Sequence, residues 1–284
     1  MFTYSSLENI PMNILHKSFV KAFSDYEVNF DIPLSKFEDM LIRRGYDSKI
    51  SIGAFKDNIL VGFIFNGLRV WNNKKTAYDT GTGVIKEYRN QGITTAMFNN
   101  LRKKLMKNNV TQYLLEVIKT NTVAFELYKK QGFKVIRSFD CYKLDKLSYT
   151  AKNTYLIDNK PILSDDEWNE LSKFNDIKPS WQNSIESIKS TPTNFIFSLV
   201  KDTDKIIGYG VVNKITGDIP QIAVHPHYRK MGIGKNIIYD LYKNTQSNTL
   251  SLLNVDSNYE PLIKMLLSIG FTNYVGQYEM LLEL

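Results

Sequence analysis

Apolar positions in the first half of the chain follow two spacings that alternate in blocks. Ile14, Leu15, Phe19, Val20 and Phe23 recur at three to four residues, which predicts a helix over Leu7–Ser24 with Pro11 early in it. Pro33–Arg44 reads as a second short helix, closed by Gly45. The period then changes. Lys49–Phe55, Ile59–Trp71 and Ala77–Val84 read as three strands, separated by the turn residues Asp57-Asn58 and Asn72–Lys75. Ala96, Met97, Leu101 and Leu105 restore the helical spacing as far as Lys107. Gln112–Val117 is a continuous apolar strand, and Asn121–Gln131 a helix ended by Gly132. Two strands follow, Phe133–Arg137 and Phe139–Leu144.

After a polar stretch at 145–163, read as a linker with a lead-in strand, the order restarts in shortened form. Helices are predicted at Asp165–Phe174 and Trp181–Lys189, and strands at Phe195–Lys201, Ile206–Val212 and Asp218–Val224. A helix at Gly232–Asn244, a strand at Leu250–Val255, a helix at Asn258–Ser268 and final strands over Phe271–Leu284 complete it. Gly92 recurs as Gly232, and Gly132-Phe133 as Gly270-Phe271, at nearly the same offset. Two independent anchors in register imply duplication of a whole domain. The chain is read as α/β, with two tandem domains over 1–146 and 147–284. Each carries a mixed, largely antiparallel central sheet flanked by helices.

Composition narrows the class. The chain has 284 residues, 43% hydrophobic and 23% charged, as expected of a globular protein of two domains. There is no apolar run of bilayer length and no secretory pattern at the N-terminus, so a cytoplasmic location without membrane association is expected. The one cysteine, Cys141, excludes an intrachain disulfide. The net charge of +7 is dispersed among Glu and Asp, which argues against nucleic acid, and it suits an anionic cofactor. No cluster of metal-ligand residues is visible, and nothing points to a particular oligomeric state.

The chemistry concentrates where a strand end runs into a helix. Gly83-Val84 leads through Arg89-Asn90-Gln91-Gly92-Ile93-Thr94-Thr95, and Val224 leads through Arg229-Lys230-Met231-Gly232-Ile233-Gly234. The first N–H groups of a helix lack intrahelical partners and, with the helix dipole, attract anions; a glycine lets a phosphate approach the backbone. Arg89-x-x-Gly92-x-Thr94 and Arg229-x-x-Gly232-x-Gly234 resemble the pyrophosphate loop of the GNAT acyl-CoA N-acetyltransferase superfamily. Leu115–Phe133 resembles the strand–helix segment of the same enzymes, with Asn121, Ala124, Leu127, Tyr128, Gly132 and Phe133 at the family's positions. In detail it is most similar to the ribosomal-protein N-terminal alanine acetyltransferases, which place a Glu and a Tyr where Glu116 and Tyr128 stand.

The resemblance implies an acetyl-CoA-dependent N-acetyltransferase moving an acetyl group directly to a primary amine of a small molecule or peptide. Glu116 would act as base and Tyr128 as acid, with Asp79 the competing base and a backbone N–H near Val84 stabilising the oxyanion. Arg89 and Arg229, beside a pyrophosphate, would be charge-assisted donors. Against these stand plainer readings: Tyr128 as a packing residue, Glu116 as a solvated strand residue, and the arginines as surface cations. Thr94 replaces the usual small residue, and a β-branched side chain tolerates strained loop dihedrals poorly. In the second domain the base position is Asn254, the Asn121 position Tyr259 and the Tyr128 position Leu266, so proton transfer is assigned to the first domain. The alternatives are a non-catalytic acyl-CoA-binding regulatory protein, and an aminoacyl transferase using tRNA, which would not need the phosphate loops.

Overall fold

A computed structural model describes residues 1–25, 31–145 and 155–284. The chain forms two compact units. The first contains Met1–Val117, Asn121–Ile136 and Glu279–Leu284; the second contains Ile118–Thr120 and Arg137–Tyr278. The proposed division at 146/147 lies outside the described residues. The units themselves are not contiguous: the end of the chain joins the first, and Arg137–Leu144 joins the second. A linear division assigns both segments the other way. Strand pairing decides this, because each segment's backbone groups find their partners in the unit it joins.

In the first unit β1 (Thr3–Ser6) precedes α1 (Met12–Ala22) and α2 (Leu34–Arg43). The strand was missed in the sequence, because a four-residue edge strand with a weak apolar pattern carries almost no periodic signal. On α1, Leu15, Phe19 and Ala22 are buried, as the helical spacing requires. Strands β2 (Ile52–Lys56), β3 (Ile59–Trp71) and β4 (Lys74–Val84) form an antiparallel meander. The helix α3 (Ile93–Lys107) leads to β5 (Gln112–Ile118), and α4 (Thr122–Lys130) follows. The strand order is β1-β2-β3-β4-β5, and beyond it lie the last residues of β12 (Thr272–Glu283). There the Leu284 N–H donates to Thr111 O at 3.1 Å. Leu15, Phe19, Phe37, Phe63 and Phe65 form much of the core between the first helices and the sheet.

Two irregularities in this sheet prepare the site. Phe65 faces Gly81 while Asn66 faces Asp79, so Thr80 is the extra residue of a β-bulge. The Arg44 Nη1 donates to Thr80 O at 2.8 Å and braces the bulge from the end of α2. Parallel pairing of β4 with β5 covers Thr76↔Gln112, Ala77↔Tyr113 and Tyr78↔Leu114, and stops there. From Asp79 and Leu115 onward the register has no further β4–β5 pair, and the wedge opens toward Val84.

The second unit repeats the plan. β7 (Leu156–Lys160), α5 (Asp165–Leu171), α6 (Ile185–Lys189), β8 (Phe195–Asp202), β9 (Lys205–Asn213) and β10 (Gln221–Val224) precede α7 (Ile233–Lys243), β11 (Leu250–Asp256) and α8 (Glu260–Ile269). One sheet runs β10-β9-β8-β7. β11 pairs antiparallel with β6 (Lys134–Leu144), from Leu250↔Leu144 to Asp256↔Phe139. An isolated parallel bridge, Asp218↔Ser251, marks where β10 and β11 part. β6 is one strand where two were expected, because Ser138 does not turn the chain. The helix expected at Trp181–Lys189 is a 3₁₀ turn, Trp181–Asn183, and then α6, restarted by the Ser184 hydroxyl accepting from Ser187 N–H.

Candidate active site

Both predicted loops form the same local structure. Asn90 and Gly92 are left-handed at φ of 61° and 73°, and Lys230 and Gly232 at 63° and 85°. Gly92 and Gly232 are the N-caps of α3 and α7, and no side chain caps either helix. A Cβ at either glycine would meet nothing within 4 Å, so both face open cleft. This leaves the leading N–H groups of each helix facing an approachable space, as an anion requires. Thr94 lies past the left-handed residues, within α3, so its β-branch meets no strained dihedral. In the second loop a Cβ at the corresponding Gly234 would stand 2.5 Å from Met265 Sδ, so the methionine side chain would have to move.

Both arginines are engaged within the protein. Arg89 Nε donates to Val84 O at 3.0 Å, Nη2 to Ala22 O at 2.7 Å, and Nη1 and Nη2 to the carboxylate of Asp25 at 2.8 and 2.7 Å. Arg229 repeats this, with Val224 O at 3.0 Å, Phe174 O at 3.0 Å and Asp176 at 2.6 and 3.1 Å. Each guanidinium is committed to a bidentate carboxylate and two carbonyls, and it ties the loop to the segment before the sheet. Both arginines also line their clefts. Their carboxylate partners carry no sequence motif of their own and were missed; only comparison of the two repeats at Asp25 and Asp176 would have shown them.

The first cleft, of about 460 Å³, runs from the loop to Tyr128. Gly83, Val84, Arg89, Asn90, Gly92, Ile93, Thr94, Thr95, Asn121 and Ala124 line it, so the predicted binding residues of this domain converge, with Gln91 exposed beside them. Asn121 caps α4, its Oδ1 accepting from Ala124 N–H at 3.1 Å, and so aims that helix at the wedge. Tyr128 is 8% exposed and held edge-on between Phe98 and Phe133, with centroids 5.9 and 5.7 Å away.

The Tyr128 hydroxyl donates to Asp79 Oδ2 at 3.4 Å. Asp79 lies just before the bulge, where Thr82 Oγ1 donates to Oδ2 at 2.6 Å and Gly81 N–H to Oδ1 at 2.9 Å. Burial pushes its carboxyl up to about 6, against the lowering effect of these donors and of Arg44. Glu116 sits elsewhere, on β5, with Oε2 accepting from the Tyr78 hydroxyl of β4. Two phenol–carboxylate pairs thus involve β4: Tyr128–Asp79, of which both members were expected from the sequence, and Tyr78–Glu116, neither member of which lines this cleft. Thr82 and Tyr78 were not singled out in the sequence, since a hydroxyl on a strand has no pattern until the bulge and the wedge place it.

The second domain keeps the loop and loses the rest. Leu266, at the Tyr128 position, is fully buried. Asn254 is also buried; its Nδ2 donates to Ser180 Oγ at 3.2 Å and its Oδ1 accepts from Gln277 Nε2 at 3.1 Å. Asp79 precedes Val84 by the same number of residues as Ile219 precedes Val224, so Ile219 stands at its position. No helix among the described residues is long and apolar enough to cross a membrane.

A mixed sheet that wedges open beside a glycine-capped helix, built twice, defines a class that comparison confirms. Residues 12–133 and 160–271 each match the acetyltransferase (GNAT) family. The chain belongs to that family, as a tandem member. It resembles the tandem GNAT protein of the clavulanic acid biosynthesis pathway (TM-score 0.73, 15% identity, 100% of this chain and 98% of that one). It also resembles a GCN5-related N-acetyltransferase from Sphaerobacter thermophilus (TM-score 0.70, 11% identity, 99% and 95%). At these identities the likeness concerns the fold. In sequence it is similar to the probable N-acetyltransferase san of Drosophila melanogaster, 30% identical over 90 residues, which is 31% of this chain and about half (49%) of that protein.

Proposed function

We propose that the first domain transfers an acetyl group from acetyl-CoA to a primary amine, and that the second domain does not carry out the transfer. The observation that carries this reading is the continuity of the first cleft, from an anion-ready loop at Gly92 to a hydroxyl at Tyr128 that is paired with a buried carboxylate. The leading N–H groups of α3 after Gly92 would hold the diphosphate of acetyl-CoA, and the cleft would direct its thioester toward the wedge between β4 and β5.

In the reaction, the neutral amine nitrogen attacks the thioester carbonyl carbon. A C–N bond forms and the C–S bond breaks. Glu116, on β5 just past the last β4–β5 pair, takes the amine proton through water, while Asp79 is enclosed by Thr82, Gly81 and Tyr128. Tyr128 gives its proton to the departing sulfur, and Asp79 orients that hydroxyl. A backbone N–H near Val84 stabilises the carbonyl oxygen as charge develops on it. Solvent returns a proton to Tyr128 and removes one from Glu116. The acceptor is a small-molecule or peptide amine.

The test is steady-state assay against a panel of amines and peptide N-termini, with calorimetry of acetyl-CoA on the same protein. Turnover of any amine that depends on Tyr128 supports the reading. Tight acetyl-CoA binding with no turnover of any member of the panel would favour the regulatory binding protein instead.

A further inference from the structure

The two clefts differ at one wall. In the first, Asn121 is short and folds back onto its own helix, and the cleft continues to Tyr128. In the second, the corresponding N-cap residue is Tyr259, whose hydroxyl donates to Asp176 Oδ2 at 3.0 Å. This is the same oxygen that receives Arg229 Nη1. The tyrosine therefore links the start of α8 to the carboxylate that clamps the loop. Burial, with Asp176 beside it, pushes its hydroxyl up to about 12, so it remains a neutral donor across the working pH range.

The cavities on its two sides record the consequence. A large one, about 630 Å³, is lined by the loop from Tyr228 to Lys235 together with Tyr259, Leu262 and Met265. A small one, about 70 Å³, is lined by Gln221, Leu253 and Asn254 and again by Tyr259 and Leu262. Asn254 occupies the base position, so the small pocket is the counterpart of the acceptor side. Tyr259 belongs to both linings, as do Ile222 and Leu262, and among the three it is the one tied to the loop clamp through Asp176.

We infer that Tyr259 closes the second domain's cleft to an acyl arm, so that this cleft takes a diphosphate-bearing headgroup while the arm stays outside the acceptor-side pocket. The inference rests on the proposed reading of the loops as coenzyme A sites. It makes the second domain's inactivity a matter of access as well as of missing proton-transfer groups. Restoring carboxylate and phenol at Ile219 and Leu266 alone would leave Tyr259 in place.

The experiment uses the full chain carrying Gly92→Trp, which fills the first cleft, and measures acetyl-CoA and its headgroup without the arm, 3′-phosphorylated ADP (ADP below), by calorimetry. With Tyr259 present the two ligands should bind within roughly 3-fold of each other, because the arm adds no contact beyond the headgroup. Adding Tyr259→Asn should tighten acetyl-CoA by about 10-fold or more and leave ADP unchanged, whereas Tyr259→Phe, which keeps the ring, should behave as the tyrosine does. Acetyl-CoA binding about 10-fold or more tighter than ADP with Tyr259 in place would overturn the inference. So would absence of any gain in the Asn variant when ADP binds. Failure of both ligands to bind either chain, with unfolding curves intact, would remove the second loop as a nucleotide site and the inference with it. The parent chain would then show one site, lost with Gly92→Trp, and the first domain's reading would stand.

Discussion

The hydroxyl of Tyr128 donates to Oδ2 of Asp79 across 3.4 Å, joining a helix residue to a carboxylate that is only 8% exposed and placed by a β-bulge. This pairing couples the proposed acid to a group that titrates near neutrality. Burial pushes Asp79 up to about 6, from an ordinary value near 4. Turnover should therefore rise with pH through about 6, as the carboxylate ionises and takes the Tyr128 hydrogen bond. Asp79→Asn should lose that limb while other features of the kcat profile persist. The linkage to stability has the opposite sense. Between about pH 4 and 6 the folded protein holds a proton that the unfolded chain has released, so this contribution is present at acid pH and lost as pH rises through 6. Denaturant unfolding of parent and Asp79→Asn at pH 4.5 and pH 8 checks it: the difference between the two proteins should shift in favour of the variant at the higher pH.

Tyr128→Phe and Glu116→Gln should each lower kcat by roughly 10²-fold, the scale of general acid–base help, with the acetyl-CoA Kd changed by less than about 2-fold. The aromatic setting of Phe98 and Phe133 accepts a phenylalanine at 128, so the first variant should keep its fold. Unchanged kcat in Tyr128→Phe would remove the acid role, and unchanged kcat in Glu116→Gln would return the base role to Asp79.

The clamp on the phosphate loop makes a prediction that a phosphate-binding arginine would not. Because Asp25 holds Arg89 in place, Asp25→Asn should weaken acetyl-CoA binding, by roughly 3- to 10-fold, in the same direction as Arg89→Lys. If Arg89 instead met the diphosphate directly, removing its internal competitor would strengthen binding. Calorimetric titration of the two variants separates the cases by sign.

Gly67 lies where the bulge is braced. A Cβ there would stand 2.1 Å from Arg44 O, and Arg44 carries the hydrogen bond to Thr80. Gly67→Ala should cost about 1–3 kcal/mol through forced backbone displacement. It should also lower turnover, because the displaced bulge carries Asp79. Thermal unfolding and kcat, measured together, test both effects. A variant with full stability and reduced activity would contradict the common cause.

Much of the architecture was legible in the sequence because it rests on local rules. Helical and strand spacings reflect which faces are buried, and the left-handed N-caps at Gly92 and Gly232 need a residue without a Cβ. The repeat was legible because both copies retain those glycines and the Gly-Phe pair after the second helix. The sequence alone therefore determined a tandem fold, two anion-ready loops and the loss of Tyr128's counterpart at Leu266. Tertiary structure decided the rest, and in each case for the same reason: the partners are distant along the chain. Asp25 and Ala22 meet Arg89 only when the first helix packs against the loop. Asp79 faces Tyr128 only because one extra residue in β4 shifts the register beside a splayed strand. Tyr259 reads as an unremarkable helix-cap substitution until Asp176 stands opposite it. Spacing along the chain sets which faces are buried; which carboxylate meets which phenol depends on how the strands and helices close in space.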